Sequence, residues 1–248
     1  MIGPSVTGIL IAAFGGTVGF GLAAGASFAA LALYSRLRVR ADPSQSAHAH
    51  MGRQLLEGLS FVGHNFVFTA LIGLALFNAV FGLSYVTLLP IFADWYFNAG
   101  STGYGLLNAA HGIGAFVGTL TVATAAHLIA RPGPVLLVTA VGMGVALMIF
   151  STSPGMGMAL TMLVLVGFAN TFYLTQVSTF IQSNVPDRLR GRVLSVYALC
   201  WNLLPLGGLI GGALAAAVDA RFAVMFGGAM VAINALLLLT SKRLRVLA

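Results

Sequence analysis

The sequence predicts an all-α, polytopic membrane protein in which a bundle of helices crosses the bilayer. Its 248 residues include 12 Lys and Arg and 5 Asp and Glu, so 7% are charged, whereas soluble globular domains have about 25%. Hydrophobic residues make up 59% of the chain, and the mean hydropathy is +0.99. The apolar residues are gathered into runs of about 20, the length that a helix needs to cross a hydrocarbon core about 30 Å thick.

Composition and motifs exclude several other classes of protein. A soluble enzyme of this size could not cover its surface with so few charges, and a disordered chain would be far less apolar. The single cysteine, Cys200, excludes an intrachain disulfide and a cysteine-based metal site. Neither a P-loop nor a metalloprotease histidine pair is present, so the sequence predicts no cofactor and no metal. The apolar runs are also too long, and too uniform in polarity, for barrel strands of about 10 residues.

The chain contains seven predicted full spans and one partial span. The run at 2–14 is apolar but too short to cross a bilayer, and it is predicted to be the second half of a helix whose first half precedes the sequence. The full spans are free of Asp, Glu, Lys and Arg apart from residues at their edges. They are 16–35, 66–90, 103–126, 134–151, 156–181, 193–218 and 222–241.

Basic residues fall on alternate connectors between these spans. Eleven of them lie on one predicted side and one, Arg221, lies on the other. By the positive-inside rule the basic side is cytoplasmic, which predicts a cytoplasmic C-terminus. The eleven are Arg36, Arg38, Arg40, Arg53, Arg131, Arg188, Arg190, Arg192, Lys242, Arg243 and Arg245.

The connector at 36–65 contains a predicted amphipathic helix. Leu55, Leu59 and Val62 recur at helical spacing, and Arg53 and Glu57 are placed to pair four residues apart. Such a helix would lie on the cytoplasmic membrane surface. The alternative is a linker whose periodicity arises by chance.

The two ends of the sequence match in outline. Pro4 and Pro205 each open a small-residue segment, and the apolar span that follows ends in a basic cluster. Parallel repeats are typical of secondary transporters, and the spacing assigns six helices to each half. We therefore expect 1–35 to be a remnant of an N-terminal half, 36–65 to be a connector, and 66–248 to be a C-terminal six-helix half.

Four segments of the chain resemble a known family. They are Gly3-Pro4 with Gly8, LLPIFADWYF at 88–97, GLLNAAHGIGAFVGTL at 105–120, and the run QSNVPDRLRGRVLS that begins at Gln182. Over nearly its whole length the chain is similar to the enterobactin-exporter-like, or transmembrane secretion effector, branch of the major facilitator superfamily. Two departures concern Thr7-Gly8, where the antiporter motif has two glycines, and the connector 127–133, which keeps only Arg131 of an Asp-Arg-x-Gly pattern.

The resemblance implies a secondary transporter and no enzymatic activity. It implies efflux of amphiphilic, drug-like or siderophore-like small molecules by alternating access, in the bacterial cytoplasmic (inner) membrane. The spans would be helices six to twelve, preceded by the end of helix five. Gly3, Pro4 and Gly8 would form a helix-packing motif. No nucleic acid partner is expected, and the N-terminal half would belong to the full-length protein. The alternative is a non-transporting membrane assembly or interaction protein.

Polar residues inside the spans are candidates for a substrate cavity. Thr171, Thr175, Ser178, Thr179 and Gln182 fall on one helix face, and Asn108 and His111 fall on another. These residues could line a cavity, or they could make hydrogen bonds between helices. The cavity candidates are Asn78, Tyr85, Asn108, His111, Asn170, Tyr173, Thr175, Gln176, Thr179 and Asn202.

Two further predictions concern ionisable residues. Because no Asp or Glu lies within a span, proton coupling in this half would require His111, whose alternative role is neutral helix packing. A cytoplasmic gate is predicted from Asp187, Arg188, Arg190 and Arg192, with Asp187 capping the following helix. The alternative is that the arginines anchor the connector to lipid phosphates.

Glycine is frequent and is placed to bring helices together. The 31 glycines include several pairs four residues apart, a spacing that lets membrane helices approach closely. The pairs are Gly15 and Gly19, Gly21 and Gly25, Gly114 and Gly118, Gly207 and Gly211, and Gly208 and Gly212.

Overall fold

A computed structural model describes residues 51–125 and 132–240, together with scattered helical positions between residues 21 and 32. The helix-packing motif Gly3, Pro4 and Gly8 lies outside the described residues, as do most of the predicted span 16–35 and the basic tail.

The described residues form helices and contain no strand. The segment Phe66–Tyr96, called the long span below, is made of four helical pieces, two of which are π-helical. The α-helices are α1 (Met51–His64), α2 (Phe66–Phe77), α3 (Tyr85–Ile91), α4 (Gly100–Ala125), α5 (Pro132–Ser151), α6 (Met156–Asn184), α7 (Asp187–Asn202), α8 (Leu204–Ala217) and α9 (Ala220–Leu239); the π segments are Asn78–Gly82 and Phe92–Tyr96.

Six segments between residues 66 and 239 are long and apolar enough to cross a membrane. They confirm the all-α polytopic bundle for this part of the chain, and they correspond to six of the seven predicted spans. They are Phe66–Tyr96, Gly100–Thr124, Gly133–Ser151, Met156–Asn184, Asp187–Ala217 and Ala220–Leu239.

The first of these, the long span Phe66–Tyr96, extends beyond its predicted end at residue 90. Residues 91–96 were expected to belong to a connector but continue the helix, with Phe92–Tyr96 as a π segment. They do so because Phe92 and Ala93 are buried, and the Phe92 ring lies 4.8 Å from that of Phe150. The positive φ of Asn98, 47°, marks the turn into α4.

A break between α7 and α8 interrupts the last but one span. Trp201-Asn202 and Pro205 predict a kink here, and the structure confirms it: α7 ends at Asn202 and α8 begins at Leu204. Proline has no N–H for the preceding turn, so it is tolerated best where a helix starts.

Glycines bring α4 and α6 into backbone contact. A Cβ at Gly114 would collide with the carbonyl oxygen of Val164, and one at Gly118 would lie 2.6 Å from that of Phe168. On the other side of the contact, Gly167 faces the carbonyl of His111. The predicted close packing of the pair Gly114 and Gly118 is therefore confirmed.

Glycines of α8 also pack against the long span, at and just after its first π segment. A Cβ at Gly207 would collide with the carbonyl oxygen of Val80 in the first π segment, and one at Gly211 would lie 3.0 Å from the Cβ of Ser84. The pair Gly207 and Gly211 is thus confirmed as a packing face. A Cβ at Gly21, Gly25 or Gly212 would meet nothing within 4 Å, so these three positions make no such contact with the described residues.

A helix, α1, occupies the position of the predicted amphipathic helix, and it docks on the start of α7. Glu57 forms an ion pair with Arg192, and a Cβ at Gly58 would lie 2.8 Å from the Arg192 carbonyl oxygen. Val62 is buried, whereas Leu56 and Leu59 are more than half exposed. One apolar edge of α1 therefore packs on the bundle, and the other faces outward.

The single cysteine lies where α7 packs on the long span. Cys200 is buried, and its sulfur lies 3.8 Å from the carbonyl oxygen of Ile72. Around it the aromatic and aliphatic side chains of α2, α6 and α7 form one of the two hydrophobic cores of the bundle.

Candidate functional site

A cavity of about 630 Å³ lies between α4, α6 and α7. Its outer margin includes the exposed side chains of Thr179, Gln182 and Trp201, so the cavity is open on one side. The lining residues are Leu83, Asn108, His111, Gly112, Ala115, Asn170, Thr171, Leu174, Thr175, Ser178, Thr179, Gln182, Tyr197 and Trp201.

Helical periodicity and glycine contacts together place the polar residues in this wall. Thr171, Thr175 and Ser178 recur along one face of α6 because residues three and four apart are neighbours on a helix. The glycine contacts hold the neighbouring helix, α4, close enough for His111 to share the same cavity. The cavity therefore depends both on the polar face of α6 and on the close contact between α4 and α6.

The cavity wall combines a larger apolar surface with uncharged polar groups, and it carries no Asp, Glu, Lys or Arg among the described residues. Several of its polar groups are hydrogen-bonded within the wall. Asn108 Nδ2 donates to the Tyr104 carbonyl at 2.9 Å, and Gln182 Nε2 donates to Ser178 Oγ at 3.0 Å. The arrangement suits an uncharged ligand surface that combines apolar area with hydrogen-bonding groups.

An amide pair joins the long span to α6. Asn78 Nδ2 donates to Asn170 Oδ1 at 2.8 Å, and both side chains are buried. Asn170 also lines the cavity, whereas Asn78 lies behind it. This pair fixes the first π segment against α6, and such contacts contribute about 0.6 kcal/mol on average in membranes.

A second polar pair joins the long span to α4. The hydroxyl of Tyr85 lies 2.8 Å from His111 Nδ1, and Tyr85 is 1% exposed. His111 lines the cavity, so Tyr85 reaches the ligand side of the wall only through His111.

The remaining sequence candidates are divided between wall and core. Thr175 and Thr179 line the cavity, whereas Tyr173 and Gln176 are buried among the packed helices. The Tyr173 hydroxyl and Gln176 Nε2 have no hydrogen-bond partner in the described part of the chain. Asn202 is exposed and donates to the Ala198 carbonyl at 3.3 Å, away from the cavity.

Some lining residues carry no sequence signal for this role. Tyr197 and Trp201 contribute to the wall from α7, and Leu83 does so from the long span. Trp201 is visible in the sequence as a marker of the kink, but only the tertiary fold brings it beside α6. Leu83 reaches the cavity because it follows the first π segment, whose extra residue changes the face presented by the chain.

The basic cluster of the predicted gate lies just beyond the C-terminal end of α6, where α7 begins. Arg190 pairs with Asp187 at 2.6 Å, and Arg192 pairs with Glu57 of α1. The expected capping by Asp187 is wrong, since Asp187 is the first residue of α7 and the cap position is Pro186, with no side-chain hydrogen bond. Arg188 is exposed.

A metal site is not found in the part of the chain that the structure describes. No group of three or more His, Cys, Asp or Glu residues is close enough there to hold an ion. The cavity itself offers hydrogen-bonding groups and aromatic surface, which suit the binding of an organic molecule.

Comparison with known proteins identifies the family. The sequence model described as "Transmembrane secretion effector" matches residues 1–247. The enterobactin exporter EntS of Escherichia coli O1:K1 is 29% identical over 255 residues, which cover 99% of this chain. The enterobactin exporter EntS of Shigella flexneri is 30% identical over 252 residues, which also cover 99% of this chain.

The chain spans 58% of the length of these curated relatives. No solved structure matches it. The names of the family and of the relatives indicate a transporter, and the six apolar helices indicate a multi-pass membrane protein. The chain belongs to the transmembrane secretion effector family of the major facilitator superfamily.

Proposed function

We propose that this protein takes part in the efflux of an amphiphilic, siderophore-like small molecule by alternating access. The observation that carries the proposal is the cavity of about 630 Å³ between α4, α6 and α7, whose wall combines apolar and aromatic surface with uncharged polar groups. A pocket of this size is typical of small-molecule sites. Enterobactin, which the relatives are named for exporting, is the substrate to test first.

We propose that residues 66–248 act as one six-helix half of the transporter. Alternating access requires two halves that rock around a central site. The open side of the cavity, at Thr179, Gln182 and Trp201, is where we place the N-terminal half. On this proposal residues 1–35 are the end of that half and 36–65 connect the two.

We also propose the orientation and location of the bundle. The basic residues Arg188, Arg190 and Arg192 at the start of α7 support a cytoplasmic position for that end. By the same rule, the basic residues Lys242, Arg243 and Arg245 support a cytoplasmic C-terminus, and we propose that the chain lies in the bacterial inner membrane.

Binding of enterobactin to the full chain in lipid nanodiscs tests the proposal directly. Titration should give saturable binding, detected by quenching of Trp201, which is exposed at the cavity margin. A Trp201→Phe variant identifies the part of the signal that comes from the cavity. Absence of saturable binding both here and in the full-length transporter would contradict the proposal.

Proton coupling through His111 is part of the same proposal. Among the described residues that line the cavity, His111 and Tyr197 are the ionisable ones, and Tyr85 contacts His111 from behind. Histidine changes charge between about pH 5 and 8. We expect His111→Asn to remove the dependence of efflux on pH in that range, measured in the full-length transporter. Efflux that keeps its pH dependence would contradict this role.

We propose that the ion pair between Arg192 and Glu57 holds α1 against α7 as part of a cytoplasmic gate, together with Asp187, Arg188 and Arg190. Arg192→Glu should raise hydrogen exchange across residues 51–64 severalfold, because it places two carboxylates together. The charge swap with Glu57→Arg should restore protection. Loss of membrane insertion in the single variant would instead indicate a lipid anchor.

A further inference from the structure

The contact between Tyr85 and His111 is unusual because one partner is buried and the other faces the cavity. Tyr85 is 1% exposed, and its ring centroid lies 6.4 Å from that of Phe150 and 6.1 Å from the His111 ring. Its hydroxyl lies 2.8 Å from His111 Nδ1. The described residues offer that hydroxyl no second partner.

Burial decides which atom donates the proton in this hydrogen bond. If His111 Nδ1 donated, the Tyr85 hydroxyl hydrogen would remain buried without an acceptor, which is costly. If the Tyr85 hydroxyl donates, its hydrogen is satisfied and Nδ1 is the acceptor. A neutral imidazole that accepts at Nδ1 carries its proton on Nε2. The second arrangement leaves no buried donor without a partner.

We propose that Tyr85 is a positioning residue that holds His111 in the Nε2–H tautomer, so that His111 presents an N–H donor to the substrate. This inference rests on the proposed function for its ligand, but its structural part stands independently. Tyr85 does not touch the ligand and acts only through His111.

The surroundings of His111 select the chemical class of the bound group. The described wall contains no Lys or Arg that could balance a carboxylate or phosphate, and burying an unbalanced anion is costly. Asn170, Thr171 and Thr175 offer further uncharged hydrogen-bonding groups nearby along α6. The group that accepts from His111 is therefore an uncharged oxygen, such as an amide carbonyl or a phenol.

Nitrogen-15 NMR of histidine-labelled full chain in lipid bilayers tests the tautomer without any ligand. The spectrum is recorded at alkaline pH, where histidines are neutral, and the His111 signals are assigned by their loss in His111→Gln. We expect a protonated Nε2 and a hydrogen-bonded, unprotonated Nδ1. Tyr85→Phe should give a mixture of tautomers and remove the hydrogen-bond shift at Nδ1.

Tyr173→Phe is the matched control for the spectra. Tyr173 is also 1% exposed, but its hydroxyl has no partner among the described residues, so its removal should leave the His111 signals unchanged. A wild-type His111 protonated on Nδ1, or one unaffected by Tyr85→Phe, would overturn the inference. This outcome is independent of whether enterobactin is the substrate.

Binding measurements then test the consequence for the ligand. With enterobactin as the probe, Tyr85→Phe should weaken binding about three- to tenfold, the value of one hydrogen bond. His111→Gln, which keeps an N–H donor at the end of a similar side chain, should bind more tightly than His111→Leu. If Tyr85→Phe changes the tautomer but leaves affinity unchanged, the ligand part of the inference fails and the export proposal stands.

Discussion

Gly114→Ala is expected to destabilise the folded protein strongly. An added Cβ would run into the carbonyl oxygen of Val164 and would lie 2.9 Å from the amide nitrogen of Phe168, both of which are backbone atoms of α6. Backbone cannot move aside as a flexible side chain can, so the two helices must separate. Overpacking costs about 1–3 kcal/mol and occasionally more, and we expect about 3 kcal/mol here. Thermal unfolding of purified protein, followed by size-exclusion chromatography, measures the effect.

Gly105→Ala is the control for this variant because it lies on the same helix. A Cβ at Gly105 would meet nothing within 4 Å, and replacing an unconstrained helical glycine stabilises a helix by about 0.5–1 kcal/mol. The two substitutions should therefore change stability in opposite directions. Equal stability of Gly114→Ala and the parent would show that α4 and α6 do not cross at this point.

Thr175→Trp is expected to weaken enterobactin binding about tenfold or more. Thr175 lies in the middle of the polar face of α6 and lines the cavity. An indole at this position would occupy space that the ligand needs, and a tenfold loss corresponds to about 1.4 kcal/mol. The folded protein should form normally, because the added ring enters open space. Titration in nanodiscs, with the yield of folded protein as a check, measures both effects.

Thr161→Trp provides the matched control on α6. Thr161 is exposed, does not line the cavity, and bonds through its hydroxyl to the Gly157 carbonyl at 3.0 Å. The same large side chain there should leave affinity within about twofold of the parent, a difference of a few tenths of a kcal/mol. If both variants bind like the parent, the ligand does not enter this cavity.

Local rules predict the helices because bilayer thickness and hydropathy act on each segment separately. The kink at Pro205 and the tight packing at Gly114 follow from a missing N–H and a missing Cβ. The two π segments of the long span do not follow, because they depend on what the helix packs against. Residues 91–96 include the polar Asp94 and were expected to belong to a connector. They continue the helix because the Phe92 ring packs against that of Phe150.

The cavity was predictable where one helix face carries it and unpredictable where several helices meet. Regular periodicity brings Thr171, Thr175 and Ser178 together. The side-chain partners of Asn78 and Tyr85 depend on the π segments, which shift the face on which later residues lie. Helical periodicity within one span cannot predict the hydrogen bond between Asn170 and Asn78, or that between His111 and Tyr85, because each pair joins separate spans.

The placement of Cys200 gives the protein a built-in chemical reporter. It is the single thiol in the sequence, and it is sealed between α7 and the long span, next to the carbonyl of Ile72. A maleimide can reach its sulfur only when those two helices part. The rate of alkylation of the purified protein in nanodiscs therefore reports how often these two helices separate, without an engineered cysteine.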